Sequence, residues 1–151
     1  MTAIVLIDTS VLVEVLNVPG RNAHREAVLE QLSKHIEDGD YLFLPMAVIV
    51  EAGNHIAHLS DGRLRRQTAL RFVAEMQKAI SGESPWHPMR FPDTQHVLEW
   101  LADFPEKAMQ SIGFGDLSII KEWEMMCRIH PMTRVLIWSL DDHLRGYDRS
   151  I

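Results

Sequence analysis

Apolar residues along this chain follow two patterns: short unbroken runs, and longer stretches spaced three and four apart. The runs are Ala3-Ile4-Val5-Leu6-Ile7, Tyr41-Leu42-Phe43-Leu44 and Val135-Leu136-Ile137-Trp138-Ser139. Their length, with β-branched residues in the first and last, predicts strands, and the lack of polar alternation predicts burial on both faces. A short strand around Met89-Arg90-Phe91 is also expected, inside a loop that Gly82, Pro85, Pro88 and Pro92 punctuate. The spaced stretches predict helices. Residues 10–16 form a short one ended by Asn17, Pro19 and Gly20. Residues 22–38 set Val28, Leu29, Leu32 and Ile36 on one face, with Gly39 as C-cap. Pro45 suits the first turn of a helix reaching about Leu59. After an Asp61-Gly62 turn, residues 63–80 space Ala69, Phe72, Val73, Met76 and Ile80 as a core face. Asp93 or Thr94 caps a helix carrying Val97, Leu98 and Leu101. Gly113-Phe114-Gly115 breaks the chain before a helix over residues 116–127.

Strands thus alternate with helices, which predicts an α/β fold with a mainly parallel sheet. At 151 residues the whole chain, 1–151, is expected to be a single domain. The formal net charge is -6, which argues against broad nonspecific binding of nucleic acid. It does not argue against a metal-dependent nuclease, whose own acids lower the charge. The single cysteine, Cys127, forms no intramolecular disulfide and fits a reducing compartment. Its place on a helix face makes it core filler. No apolar stretch is long enough to span a bilayer. The opening Met1-Thr2-Ala3-Ile4 lacks a basic region and reads as a strand, not a signal peptide. A cytoplasmic, soluble protein with no membrane association is expected.

Four acids stand at special positions. Asp8 ends the first strand and Asp141 ends the last. In open parallel sheets, ligands bind in the crevice outside the carboxyl ends of the strands. Glu51 lies one to two turns into the helix that begins at Pro45, bordering its buried face. Asp116 opens its helix three, four and seven residues before Ile119, Ile120 and Trp123, so it lies on the inward face. Each acid alone has an ordinary structural use. Asp116 suits an N-cap, Asp8 and Ser10 suit the cap of the first helix, and Asp141-Asp142 suits a turn. Together they point to one end of one sheet. Crowded carboxylates raise one another's pKa. A bound Mg²⁺ or Mn²⁺ relieves that repulsion with oxygen ligands, activates water and stabilises charge on a phosphate.

The order and spacing of these pieces resemble a PIN domain, the small metal-dependent nuclease fold found in many toxins of bacterial and archaeal toxin–antitoxin pairs. The matching segments are Ile7-Asp8-Thr9-Ser10-Val11-Leu12, Val50-Glu51, Asp116-Leu117-Ser118-Ile119-Ile120 and Ser139-Leu140-Asp141-Asp142-His143-Leu144. The resemblance runs from Ile4 to about Tyr147. It implies a three-layer fold, with a central sheet of short strands flanked by helices. It also implies a Mg²⁺- or Mn²⁺-dependent endoribonuclease in which Asp8, Glu51, Asp116 and Asp141 form the catalytic metal site. Ser10 and Ser139 match the family's supporting hydroxyls, and Ser139 stands where Thr is usual. Asp142 adds a second acid beside Asp141, leaving the fourth position open between them. Leu144 stands where an aromatic is common. The implied partners are an RNA substrate, a cognate antitoxin and a second copy of the chain in a homodimer.

Other residues carry less. Residues 61–80 hold five positive and two negative charges, a local excess of +3. Arg63, Arg65 and Arg66 are candidate contacts to an RNA backbone; a solvated helix face is the equal alternative. His55 and His58 are three apart on one helix, but no His-Glu-x-x-His or Cys-x-x-Cys pattern supports zinc. His143 is a possible supporting group beside Asp141. Trp86, Trp100, Trp123 and Trp138 read as core or interface. No glycine-rich phosphate loop is present. Two rival readings are a catalytically weak module that binds RNA or protein, and an aspartyl-phosphate enzyme or receiver domain. The phosphatase version needs an Asp where Ser10 stands. The receiver version needs an acidic pair on the first strand and a mid-chain phospho-acceptor, and the sequence has neither.

Overall fold

A computed structural model describes residues 2–151. The three unbroken apolar runs form β1 (Ile4–Ile7), β2 (Tyr41–Leu44) and β4 (Val135–Trp138), and every residue of β1 is buried. The full order is β1, α1 (Thr9–Val15), α2 (Arg25–Glu37), β2, α3 (Met46–Ala57), α4 (Gly62–Ile80), β3 (Trp86–Pro88), α5 (Thr94–Met109), α6 (Phe114–Ile129), β4 and β5 (Asp148–Arg149). The strands make one sheet in the order β3-β2-β1-β4-β5, parallel except for β5. The architecture is a three-layer α/β fold, with this sheet between layers of helices.

Topology places the site. From β1 the chain steps outward to β2 and β3, then crosses back to lay β4 on the other side of β1. The strand order reverses between β1 and β4, and that reversal opens a crevice at their carboxyl ends. Register sets Ile7 opposite Trp138. The Asp8 amide extends the pairing by one step, donating to the Trp138 carbonyl at 3.0 Å. Asp8 and Ser139 therefore leave the sheet side by side.

One contiguous core joins β1, β2 and β4 to α1, α2, α3, α4 and α6. Trp86, Trp100 and Trp138 are buried, while Trp123 and Cys127 are partly buried against the core. Leu144, from the turn after β4, is fully enclosed and pins that turn to the sheet.

Several expectations need correction. The third strand is Trp86–Pro88, not Met89–Phe91. Pro88 has no N–H to give and is tolerated as the last residue of an edge strand. Phe91 stands well out in solvent. Asp61 is the N-cap of α4, accepting from the amides of Arg63 and Leu64, so the expected turn is the helix start. α6 begins at Phe114, with Asp116 in its first turn. The tail after β4 returns as β5, antiparallel to β4. Ile36, Val73 and Ile80, expected in the core, are exposed. Ile36 and Ile80 lie in the last turns of α2 and α4, where a helix runs past the surface it covers.

Candidate functional site

The strand-to-helix junction after β1 builds the first part of the site. Asp8 caps α1 with extended backbone angles, and its side chain accepts from the Ser10 amide at 3.4 Å. Its Oδ2 also accepts from the Ser10 and Ser139 hydroxyls, each at 2.8 Å. The two hydroxyls in turn accept backbone N–H groups from the segment after β4. Leu140 donates to Ser10 Oγ at 2.9 Å, and Asp141 donates to Ser139 Oγ at 2.9 Å. Each relay runs from amide to hydroxyl to carboxylate. Three donors thus fix Oδ2. Asp8 is only 4% exposed, so this fixed carboxylate is held in a low-dielectric wall.

Glu51 enters from α3. Its Oε2 accepts from the Thr9 hydroxyl at 3.1 Å, and its Oε1 lies 3.5 Å from His55 Nε2. A Cβ on Gly115 would stand 3.9 Å from Oε2, so the start of α6 passes close beside Glu51. Thr9 is buried and was not singled out in the sequence. Its signal was its place as the first helical residue after the strand-ending Asp8.

Asp116 ties the group together. Its pKa is raised from 3.8 to about 6, first by burial and then by the charges of Asp8, Asp141 and Glu51, with His143 opposing. These carboxylates come from β1, α3, α6 and the β4 end, and stand within electrostatic reach of one another. They do not close on a single point. Among the described residues, no group of three or more His, Cys, Asp or Glu side chains is close enough to hold an ion as arranged.

Asp141 and Asp142 have different surroundings. Asp141 accepts the His143 amide at 3.0 Å and contributes to the field at Asp116. Asp142 points to solvent, its side chain 90% exposed, and pairs with Arg145 at 3.1 Å. The Ser10 and Ser139 hydroxyls reach Asp8, whereas Asp142 turns to Arg145.

The basic helix lies elsewhere. Arg65 donates to the Leu59 carbonyl at 2.8 Å, closing the turn after α3. From Glu51, α3 runs six more residues to Ala57, about 9 Å at 1.5 Å per residue, before the chain reaches Leu59. Arg63 and Arg66 are exposed. His55 and His58 do not converge on a shared ligand: His58 Nδ1 binds the Asn54 carbonyl at 2.7 Å, whereas His55 faces Glu51.

The sequence reading missed Glu122. It is 6% exposed, and burial pushes its pKa from 4.5 to about 7. Its signal was spacing, three residues after Ile119 and four before Met126 on α6.

No protein-family model and no curated protein matches the chain. Among solved structures, the crystal structure of FitAcB from Neisseria gonorrhoeae superposes with a TM-score of 0.59 at 19% identity, over 95% of this chain and 91% of that one. VapBC2 from Rickettsia felis, solved bound to a DNA fragment from its promoter, matches with a TM-score of 0.54 at 14% identity, over 90% of this chain and 99% of that one. At these identities the likeness shows the fold: this chain has, over nearly its whole length, the fold of a chain in each of those two complexes.

Proposed function

We propose that the protein is a Mg²⁺- or Mn²⁺-dependent endoribonuclease, the toxin of a toxin–antitoxin pair. The observation that carries the reading is the field at Asp116, whose pKa is raised by the charges of Asp8, Asp141 and Glu51 around the strand-order reversal. An all-oxygen, strongly anionic donor set of this kind fits a hard divalent cation. The shared fold with FitAcB and VapBC2, both toxin–antitoxin complexes, supports the biological role.

Asp8, Glu51, Asp116 and Asp141 would hold the ion. When bound, it supplies neutralisation of the carboxylates, a more acidic water and screening of charge on the phosphate. The chain's own residues do the rest. The Ser10 and Ser139 hydroxyls hold the Asp8 carboxylate in place through Oδ2. Thr9 and His55 hold the two oxygens of Glu51. Asp116, its pKa raised by burial and by the neighbouring acids, marks where a bound cation would relieve the most repulsion. Hydrolysis adds one water across a P–O bond, leaving a phosphate end and a hydroxyl end.

A cognate antitoxin and a second copy of the chain are the proposed protein partners. A module that binds RNA or protein without cutting is the second reading, favoured by the open spacing of the carboxylates. Cleavage of a long structured RNA in Mg²⁺ by wild type and Asp116→Asn separates the two. The nuclease reading requires cutting that the variant loses. Wild-type binding without cutting supports the second.

A further inference from the structure

Two faces of α4 are patterned, and the fold uses only one. Thr68, Met76 and Ala79 are buried, and Phe72 packs beside them against the core. On the other side Arg63, Arg66, Leu70, Val73, Gln77 and Ile80 recur at alternating steps of three and four residues, and all of them are exposed. That is the spacing of a coiled-coil seam, held through two heptads. Leu70 is 56% exposed, Val73 47% and Ile80 77%, so the fold leaves the seam uncovered. The arginines divide in the same way. Arg65 and Arg71 are used within the fold, on the carbonyls of Leu59, Leu16 and Asn17. Arg63 and Arg66 stand on the seam. Charge is also graded along this segment. Residues 61–71 carry four Arg and one Asp, net +3, whereas residues 72–83 carry Glu75, Lys78 and Glu83, net -1. Glu83 is exposed, two residues past the C-cap of α4.

We propose that this seam docks a second copy of the chain, α4 against α4 in antiparallel, about a two-fold axis through Val73. The inference rests on the second copy proposed above as a partner, whose surface it names, and not on the nuclease reading. The seam is self-complementary only in this direction. Reversal about Val73 sets Leu70 by the partner's Gln77, Arg66 by the partner's Ile80 and Arg63 by the partner's Glu83. A two-fold contact makes each pairing twice, so a basic end meets an acidic end on both sides. The helix dipoles then oppose one another, which is also favourable. A parallel pairing would set the two basic ends together. Arg66 can lay its stem along the apolar seam and keep its guanidinium in water. One helix pair covers less than the roughly 800 Å² per partner of a stable complex, so the dimer is weak and depends on concentration.

Sedimentation velocity of the whole chain in EDTA, from low to high micromolar loading, reads the assembly. Wild type is expected to pass from monomer to dimer as the loading rises. Val73→Arg sets like charges together on the axis and should leave monomer only, with the Tm of wild type. Arg63→Glu and Glu83→Arg should each weaken the dimer on the order of tenfold, because each puts like charges together twice. The two combined should restore it, which a merely structural role for either residue would not. Val73→Cys in a Cys127→Ser background should form a disulfide-linked dimer under mild oxidation, because the axis brings the residue against its own copy. Glu37→Cys, exposed on α2, should not. If Val73→Arg melts early, the charge-reversal series decides. Monomer at every loading overturns the proposal and the second copy with it. A dimer that survives Val73→Arg, or that the double reversal does not restore, overturns this surface and keeps the second copy. No readout measures cleavage, so failure here is separate from failure of the nuclease reading.

Discussion

Glu122→Gln isolates the energetic cost of a buried carboxyl. In the unfolded chain Glu122 titrates near its ordinary value of 4.5, and in the fold near about 7. The folded pKa is the higher one, so the native state holds the proton more tightly. Stability from this group is fully present below about pH 4.5. It is lost as the pH rises through the folded value, and the loss levels off above it. The gap is roughly 2.5 units, and at 1.36 kcal/mol per unit the full loss is about 3 kcal/mol. That is a large share of the roughly 5–15 kcal/mol that holds a domain together. For a chain of this size it corresponds to roughly 6–12 °C in Tm. Gln leaves an amide in the same enclosed place, but its cost is the same at every pH. Urea denaturation at pH 5, 6, 7 and 8 in EDTA should therefore show wild type losing about 2.5 kcal/mol of stability relative to Glu122→Gln across the series, the rest of the loss falling below pH 5. Asp116, also raised, contributes a parallel slope to both proteins and cancels in the difference. Superimposable pH dependences would show that Glu122 is hydrated in the native state and that the enclosure of Oε2 is not maintained in solution.

Asp116→Asn is expected to abolish RNA cleavage in Mg²⁺ while leaving RNA affinity within about twofold, since its role is to hold the ion and not the backbone; gel-based cleavage and binding by anisotropy check both, and residual cutting would refute the assignment. Mn²⁺ should raise the Tm of wild type by linkage and raise that of Asp8→Asn less; equal shifts in thermal melts would place the ion elsewhere. Ser139→Ala removes a hydroxyl donor from a buried carboxylate and should cost about 1–3 kcal/mol in urea denaturation; a change near zero would mean water substitutes for the hydroxyl. Arg65→Ala, losing its bond to the Leu59 carbonyl, should destabilise the fold by about 1 kcal/mol, whereas Arg66→Ala should leave stability unchanged and flatten the salt dependence of RNA binding. Identical salt slopes for Arg66→Ala and wild type would make that helix a solvated face.

Much of this was legible in the residues because the site is built at ends of elements. A strand that stops at Asp8 and another that stops near Asp141 are visible as apolar runs with an acid after them, and parallel-sheet topology does the rest. The neighbour Asp142 was indistinguishable from Asp141 along the chain. Only the turn pinned by Leu144 decides which carboxylate faces inward and which meets Arg145. β5 was invisible because two residues carry no periodicity, and its pairing comes from tertiary position. The region 86–91 misled because Met89-Arg90-Phe91 has strand-like composition while Pro88 looked like an interruption. In the fold the sheet uses Pro88 at an edge, where the missing N–H costs nothing. Glu122 was hidden by its setting, Lys121-Glu122-Trp123-Glu124, which resembles a solvated helix face.

The two ends of the sheet bear on how this chain can meet others. One edge is β5, only two residues long, and the other is β3, three residues ending in Pro88. Short strands and proline at an edge deny a neighbouring chain the row of free N–H and C=O groups that would template its addition. Growth by continuing the sheet from one molecule to the next is closed at both sides. Such an edge guards against cross-β aggregation during synthesis. It also confines any specific assembly to helix faces and loops, where exposed Leu98, Leu101 and Met109 on α5 offer the apolar surface that strand pairing does not.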